Sequence, residues 1–108
     1  MLAKEQRLGR SEFSRFFASG VRRHSVYFTL IYTPYPTLRG AVVVSKKVAK
    51  KAHERNTIRR RVYATLRSVA TRSSLVGVYI LIAKPAVAQL SRLKQHEAVA
   101  VLLGAQPK

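Results

Sequence analysis

The chain is 108 residues long and 47% hydrophobic, enough for one small core and too little for two domains. It carries 21 Lys and Arg against four Glu and no Asp, a formal net charge of +17, and charge at that density is best explained by a polyanionic partner. It has no Cys, which excludes disulfides and thiolate metal sites.

Residues 1–7, with Leu2 and Ala3 followed by Lys4 and Glu5, lack the apolar stretch of a signal peptide, and the first few residues are expected to be disordered. Ser11 is placed to cap a short helix over 12–18, with Phe13, Phe16 and Phe17 on one stripe and Gly20 as its stop. Residues 26–33 are rich in β-formers, with Tyr27, Thr29 and Ile31 on one face and Phe28, Leu30 and Tyr32 on the other. Pro34-Tyr35-Pro36 breaks that strand. Residues 39–45 hold the run Ala41-Val42-Val43-Val44, a buried strand, and 77–83 hold another, stopped by Lys84-Pro85. A last helix is expected over about 87–103, anchored by Leu90, Leu93 and Val101, and the tail after about 103 is expected to be disordered. The longest apolar runs, 78–83 and 98–103, fall far short of the roughly 20 residues of a membrane span. The expectation is one soluble cytoplasmic domain over 1–108 with no membrane role.

Between the two buried strands, residues 49–71 read as a long central helix. At about 100° per residue, Ile58, Val62, Leu66 and Val69 share a narrow apolar arc. Asn56, Arg60, Tyr63 and Arg67 share another, Arg59 lies between the two, and Arg61 falls away from both. Arg55 lies on the apolar arc, one turn ahead of Ile58.

Nine basic residues face one acid between Arg39 and Arg61. A solvated helix face that merely keeps a protein soluble mixes its signs, and Glu54 is the only acid between Glu12 and Glu97. This asymmetry favours a cationic ridge that clamps RNA backbone. Arg59 and Arg60 offer forked donors to phosphate oxygens. Asn56 donates and accepts at once, which suits a 2′-hydroxyl or a metal-bound water. Lys46 and Lys47, at the strand-to-helix junction, and Lys50 and Lys51, just beyond, extend the ridge. The aromatic residues Phe13, Phe16, Phe17, Phe28 and Tyr32 are first of all core, but one or two could line a groove beside the basic helix for unpaired bases. His24, His53 and His96 have no metal-ligand spacing, no Asp exists to orient a catalytic His, and the scattered Glu suggest no two-metal site. The chain alone looks incapable of hydrolytic chemistry.

These residues resemble the protein component of bacterial ribonuclease P across most of the chain. Arg7-Leu8, Phe13 and Phe17 before Gly20 look like that family's opening helix, and Arg39-Gly40 to Lys46-Lys47 like its strand leading to the basic helix. His53-Glu54-Arg55-Asn56-Thr57-Ile58-Arg59-Arg60 looks like its signature segment, and Tyr79 to Lys84-Pro85 like its last strand and exit. The chain departs from the family where Thr57 replaces a basic residue, Tyr63 an Arg, and Arg61 an apolar residue. The resemblance implies an α+β sandwich in the order αβββαβα, one sheet with helices packed on it and a left-handed crossover through the central helix, against the right-handed rule. It implies a protein subunit that binds a catalytic RNA and assists removal of the 5′ leader from precursor tRNA, with Mg²⁺ held mainly by the RNA and no obligatory protein partner. By this reading Lys46, Lys47, Lys50, Lys51, Arg55, Asn56, Arg59, Arg60, Tyr63 and Arg67 bind RNA, and Phe13, Phe17 and Phe28 line a leader groove.

A structural RNA-binding protein of ribosomal type fits the composition equally well, and only the ordered signature segment argues against it. A DNA-compacting or single-strand-binding protein is a further alternative, to be told apart by preference for DNA over structured RNA at matched salt.

Overall fold

Alternation in the strands and a 3.6-residue period in the helices sort the apolar side chains onto the two faces of a single sheet. The structure, a computed structural model, describes residues 2–104. Helix α1 (Arg10–Ser19) is followed by β1 (Val21–His24), β2 (Phe28–Thr33) and β3 (Leu38–Val43), then by α2 (Ala52–Ser73), β4 (Gly77–Ala83) and α3 (Arg92–Gly104). Short 3-10 turns cover Lys4–Gln6 and Pro85–Gln89. The order is the expected αβββαβα. The sheet runs β1-β2-β4-β3, with β2 antiparallel to both its neighbours and β3 parallel to β4. Because β3 and β4 are parallel, the chain between them must return to the starting end, and α2 makes that return.

One face of the sheet carries the main core. Phe28 and Leu30 of β2, Val42 of β3 and Tyr79 and Leu81 of β4 pack with Ile58, Val62, Leu66 and Val69 of α2 and Val99, Leu102 and Leu103 of α3. Leu66 is fully buried at its centre, and truncating such a side chain to Ala costs about 2–5 kcal/mol. On the opposite face Phe16 of α1 closes a smaller cluster with Ile31, Ala41, Val78 and Ile80. β4 opens at Gly77, whose φ of +119° favours glycine, and a Cβ there would meet the Tyr32 ring at 2.7 Å.

Several expectations shift. Residues 21–24 form a strand that the residue pattern alone leaves unread, because Val21, Arg22 and His24 are all exposed on an outer edge. A charged edge discourages pairing with another chain, so polarity serves this strand. The N-terminal segment is ordered from Leu2, which is buried in the main core. Leu8 N–H donates to Gly40 O at 3.0 Å, so this segment covers the free edge of β3. Ser11 does not cap α1; Gly9 precedes the helix, and its N–H donates to Glu12 Oε1 at 3.2 Å. The expected helix over 87–103 is divided at Ser91, whose Oγ accepts from Lys94 N–H at 3.2 Å and starts α3 afresh. The buried side of α3 is therefore Gln95, Val99, Leu102 and Leu103, while Leu93 and Val101 are 65% and 73% exposed. Of the expected disordered tail, Gly104 still belongs to α3 and 105–108 lie outside the described residues.

Candidate nucleic-acid interface

The basic ridge is set by which side of α2 the core takes. The buried set Ile58, Val62, Tyr63, Thr65, Leu66, Val69 and Ala70 turns one side of the helix to the sheet and α3. Arg60 and Arg67 are exposed, with Asn56 exposed on the same arc, and Arg59 is half-buried beside them. Arg59 Nη1 donates to Asn56 Oδ1 at 2.6 Å, one turn apart on the helix. That bond orients the Asn56 amide so that its NH₂ group faces away from Arg59. Lys46, Lys47, Lys50 and Lys51 are all exposed in the loop ahead of the helix.

Arg55 holds this loop in shape. Its Nη1 donates to Ala49 O at 3.1 Å and to Lys50 O at 2.7 Å, while Val48 is buried and Val48 N–H donates to Ser45 O at 3.1 Å. One corner of the guanidinium is thus engaged with backbone, which ties the lysine-bearing loop to the first turn of α2.

Two expected contacts are corrected. Tyr63 is 6% exposed and belongs to the main core. Its Oη accepts from the Val42 N–H at 3.2 Å, which satisfies an edge donor of β3. The wheel places Tyr63 on the arc of Asn56, Arg60 and Arg67, but on the side of it nearer the apolar arc, and its ring reaches β3 on the buried side. Phe28 is fully buried on the α2 and α3 face, so it cannot line a groove.

The other face of the sheet has a row of side chains that α1 does not fully cover. His24, Thr29, Ile82 and Val43 pair in register across all four strands. Phe16 covers the next row, Ile31, Ile80 and Ala41, and Glu12 of α1 holds Arg39 beyond it at 2.7 Å. The outermost row is left uncovered by α1, with Thr29, Ile82 and Val43 half-buried and His24 exposed. Phe13 and Phe17 lie on the side of α1 away from Glu12, and Phe13, like Ile82, packs against the Phe16 cluster. Their rings stack at 5.6 Å, and the Arg22 guanidinium sits 4.8 Å from the Phe17 ring. The row is apolar at Ile82 and Val43 and polar at Thr29 and His24, whose Oγ1 and Nδ1 lie 3.1 Å apart, and the Lys46-Lys47 loop follows Val43 at its end. Ile82, Val43, Thr29 and Arg22 escaped sequence reasoning, although strand alternation placed Thr29 opposite Phe28. A cavity of about 660 Å³ lies elsewhere, between the β1–β2 turn and α3, with Val26, Tyr27, Leu90 and Val101 in its lining.

The model of the Ribonuclease P family matches residues 2–105. A relative from a Nitratiruptor species, the ribonuclease P protein component, is 34% identical over 87 residues, 79% of this chain and 78% of its own. The chain belongs to the ribonuclease P protein family. Solved structures agree in fold. A Staphylococcus aureus RNase P protein mutant with defective mRNA degradation activity superposes with a TM-score of 0.78 at 22% identity, covering 94% of this chain and 87% of that one. The RNase P protein from Thermotoga maritima gives 0.75 at 21% identity, covering 94% and 98%. As a ribonuclease P protein, the chain is the protein subunit of the ribonucleoprotein that carries out tRNA 5′ processing, and its partner is an RNA subunit. Among the described residues no helix is long and apolar enough to cross a membrane.

Proposed function

We propose that this subunit grips the catalytic RNA with the α2 ridge and the preceding lysines, and holds the 5′ leader of precursor tRNA along the adjoining sheet row. The observation that carries the reading is this pairing on one molecule of an acid-poor basic helix with a sheet row that α1 does not fully cover. Lys46, Lys47, Lys50, Lys51, Arg59, Arg60 and Arg67 meet phosphates, Asn56 meets a ribose hydroxyl or an ion-bound water, and Arg55 both frames the loop and adds charge. Phe13 and Phe17 provide stacking surface for leader bases, each worth about 1–3 kcal/mol where a base stacks on it. Arg22 keeps the Phe17 ring in place. A leader held this way favours precursor over product, because only the precursor has one.

Among the described residues no cluster fits a divalent metal site. Glu12 is engaged by Arg39, Glu97 lies 3.8 Å from Lys94, and no group of three His, Cys, Asp or Glu comes together among the described residues. On this reading the Mg²⁺ of the reaction is held mainly by the RNA, and the +17 protein screens the repulsion between two RNAs. The setting is the cytoplasm, where precursor tRNA is made.

Cleavage of a 5′-extended precursor tRNA at low Mg²⁺ by a matched ribonuclease P RNA, with and without the protein, tests this. Release of an intact leader that depends on the protein, and none from the protein alone, is the expected result. Tight RNA binding without stimulation would replace it with the structural RNA-binding reading.

A further inference from the structure

We infer that α2 and α3 form a second RNA-phosphate site, built from Arg61, Arg92 and His96 on the flank of α2 opposite the signature ridge. The inference rests on the RNA-binding reading above and adds a separate surface to it. A cavity of about 130 Å³ is lined by Arg61, Ala64, Thr65, Arg92 and His96, two guanidinium groups and an imidazole with no acid among them. Glu97, on the same helix as His96, is turned to Lys94. Glu54 shares the flank of α2 but lies about two turns before Arg61.

Arg61 and His96 are held in place. Gln95 is 4% exposed, and its Nε2 donates to Val87 O at 3.2 Å and to Leu90 O at 3.3 Å. This fixes the amide, so Oε1 accepts from Arg61 Nη1 at 3.3 Å and steers the fork. The remaining Arg61 donors, and all those of Arg92, have no partner among the described residues. Thr65 Oγ1 donates to Arg61 O at 3.1 Å, so it accepts from Nδ1–H of His96 at 3.0 Å and fixes that ring as well. A buried glutamine thus holds one guanidinium, and a buried threonine one imidazole, at the cavity wall. Planar forks aimed at one small cavity suit phosphate oxygens. Arg61 follows Arg60 by about 100° of helix, so the two flanks face different directions and engage different RNA segments.

Since the chain has no Cys, a single introduced thiol reports position. Ala64→Cys in the cavity wall and Lys47→Cys beside the ridge, each carrying an iron chelate, would be used to cleave the catalytic RNA with hydroxyl radicals. The expected result is cleavage from position 64 at nucleotides distinct from those cut from position 47. In parallel, salt titrations compare Arg61→Gln/Arg92→Gln, Arg92→Gln alone, and Arg59→Gln/Arg60→Gln. Each lost contact should lower the log–log salt slope by about one unit and the affinity by about fivefold at 0.15 M salt. Arg92→Gln guards against misfolding, because the exposed Arg92 lies outside the Gln95 network. No cleavage from position 64, or an unchanged slope for Arg92→Gln, while the ridge variants lose affinity, would overturn the second site. Loss at neither surface would overturn the RNA-binding reading beneath it.

Discussion

Tyr63→Phe separates a structural tyrosine from an RNA-facing one. The substitution keeps the buried ring and removes only the hydroxyl that accepts from Val42 N–H at 3.2 Å. Val42 is 7% exposed in an edge strand, so its N–H is left buried without an acceptor. Such a loss costs about 1–3 kcal/mol, while packing is nearly unchanged because the ring stays. For a domain of this size 1 kcal/mol moves the Tm by about 4–8 °C, so a fall of about 4–24 °C is expected for that cost. Urea unfolding followed by circular dichroism should show a lower midpoint at constant m-value. Affinity for the catalytic RNA, measured well below the transition, should not change. An unchanged midpoint with lost RNA affinity would refute the reasoning and return Tyr63 to the ridge.

Phe16→Ala and Phe17→Ala should part company: Phe16 is buried and its loss costs about 3–5 kcal/mol of stability, while Phe17 is 38% exposed and its loss should leave the Tm nearly unchanged. Phe17→Ala should instead weaken precursor relative to mature tRNA by about 1–3 kcal/mol, read from paired binding isotherms. The Gly9 amide and then the Arg39 guanidinium hold the Glu12 carboxyl below the usual carboxylate range. Its contribution is present above the unfolded value near ~4.3 and is lost as pH falls through the folded one, so Glu12→Gln should flatten the acid limb of Tm against pH. Burial, and then Tyr32, push the Tyr79 phenol up to about 12. Stability linked to it is full below the unfolded value near ~10 and declines as pH rises toward about 12, and Tyr79→Phe should remove that alkaline decline in unfolding scans.

What the sequence determined by itself follows from local periodicity and charge. Ile58, Val62, Leu66 and Val69 repeat as one helical face does, and all four are buried. The alternation of Phe28, Leu30 and Tyr32 against Thr29 and Ile31 marks two sheet faces, and the strand pairing keeps them apart. The excess of 21 cations over four acids by itself calls for a polyanion. The tertiary structure alone decided what depended on partners distant in sequence. Val21–His24 is a strand because Tyr32 to Thr29 pair with it, a fact invisible in its polar residues. Gln95 is buried, and Leu93 is not, because the Val87 and Leu90 carbonyls need its amide, and no hydropathy count registers that bond. Phe28 and Phe17 are chemically the same ring, yet one is sealed under α2 and α3 and the other is exposed on α1. Periodicity says which residues share a face; only long-range packing says which face another element covers.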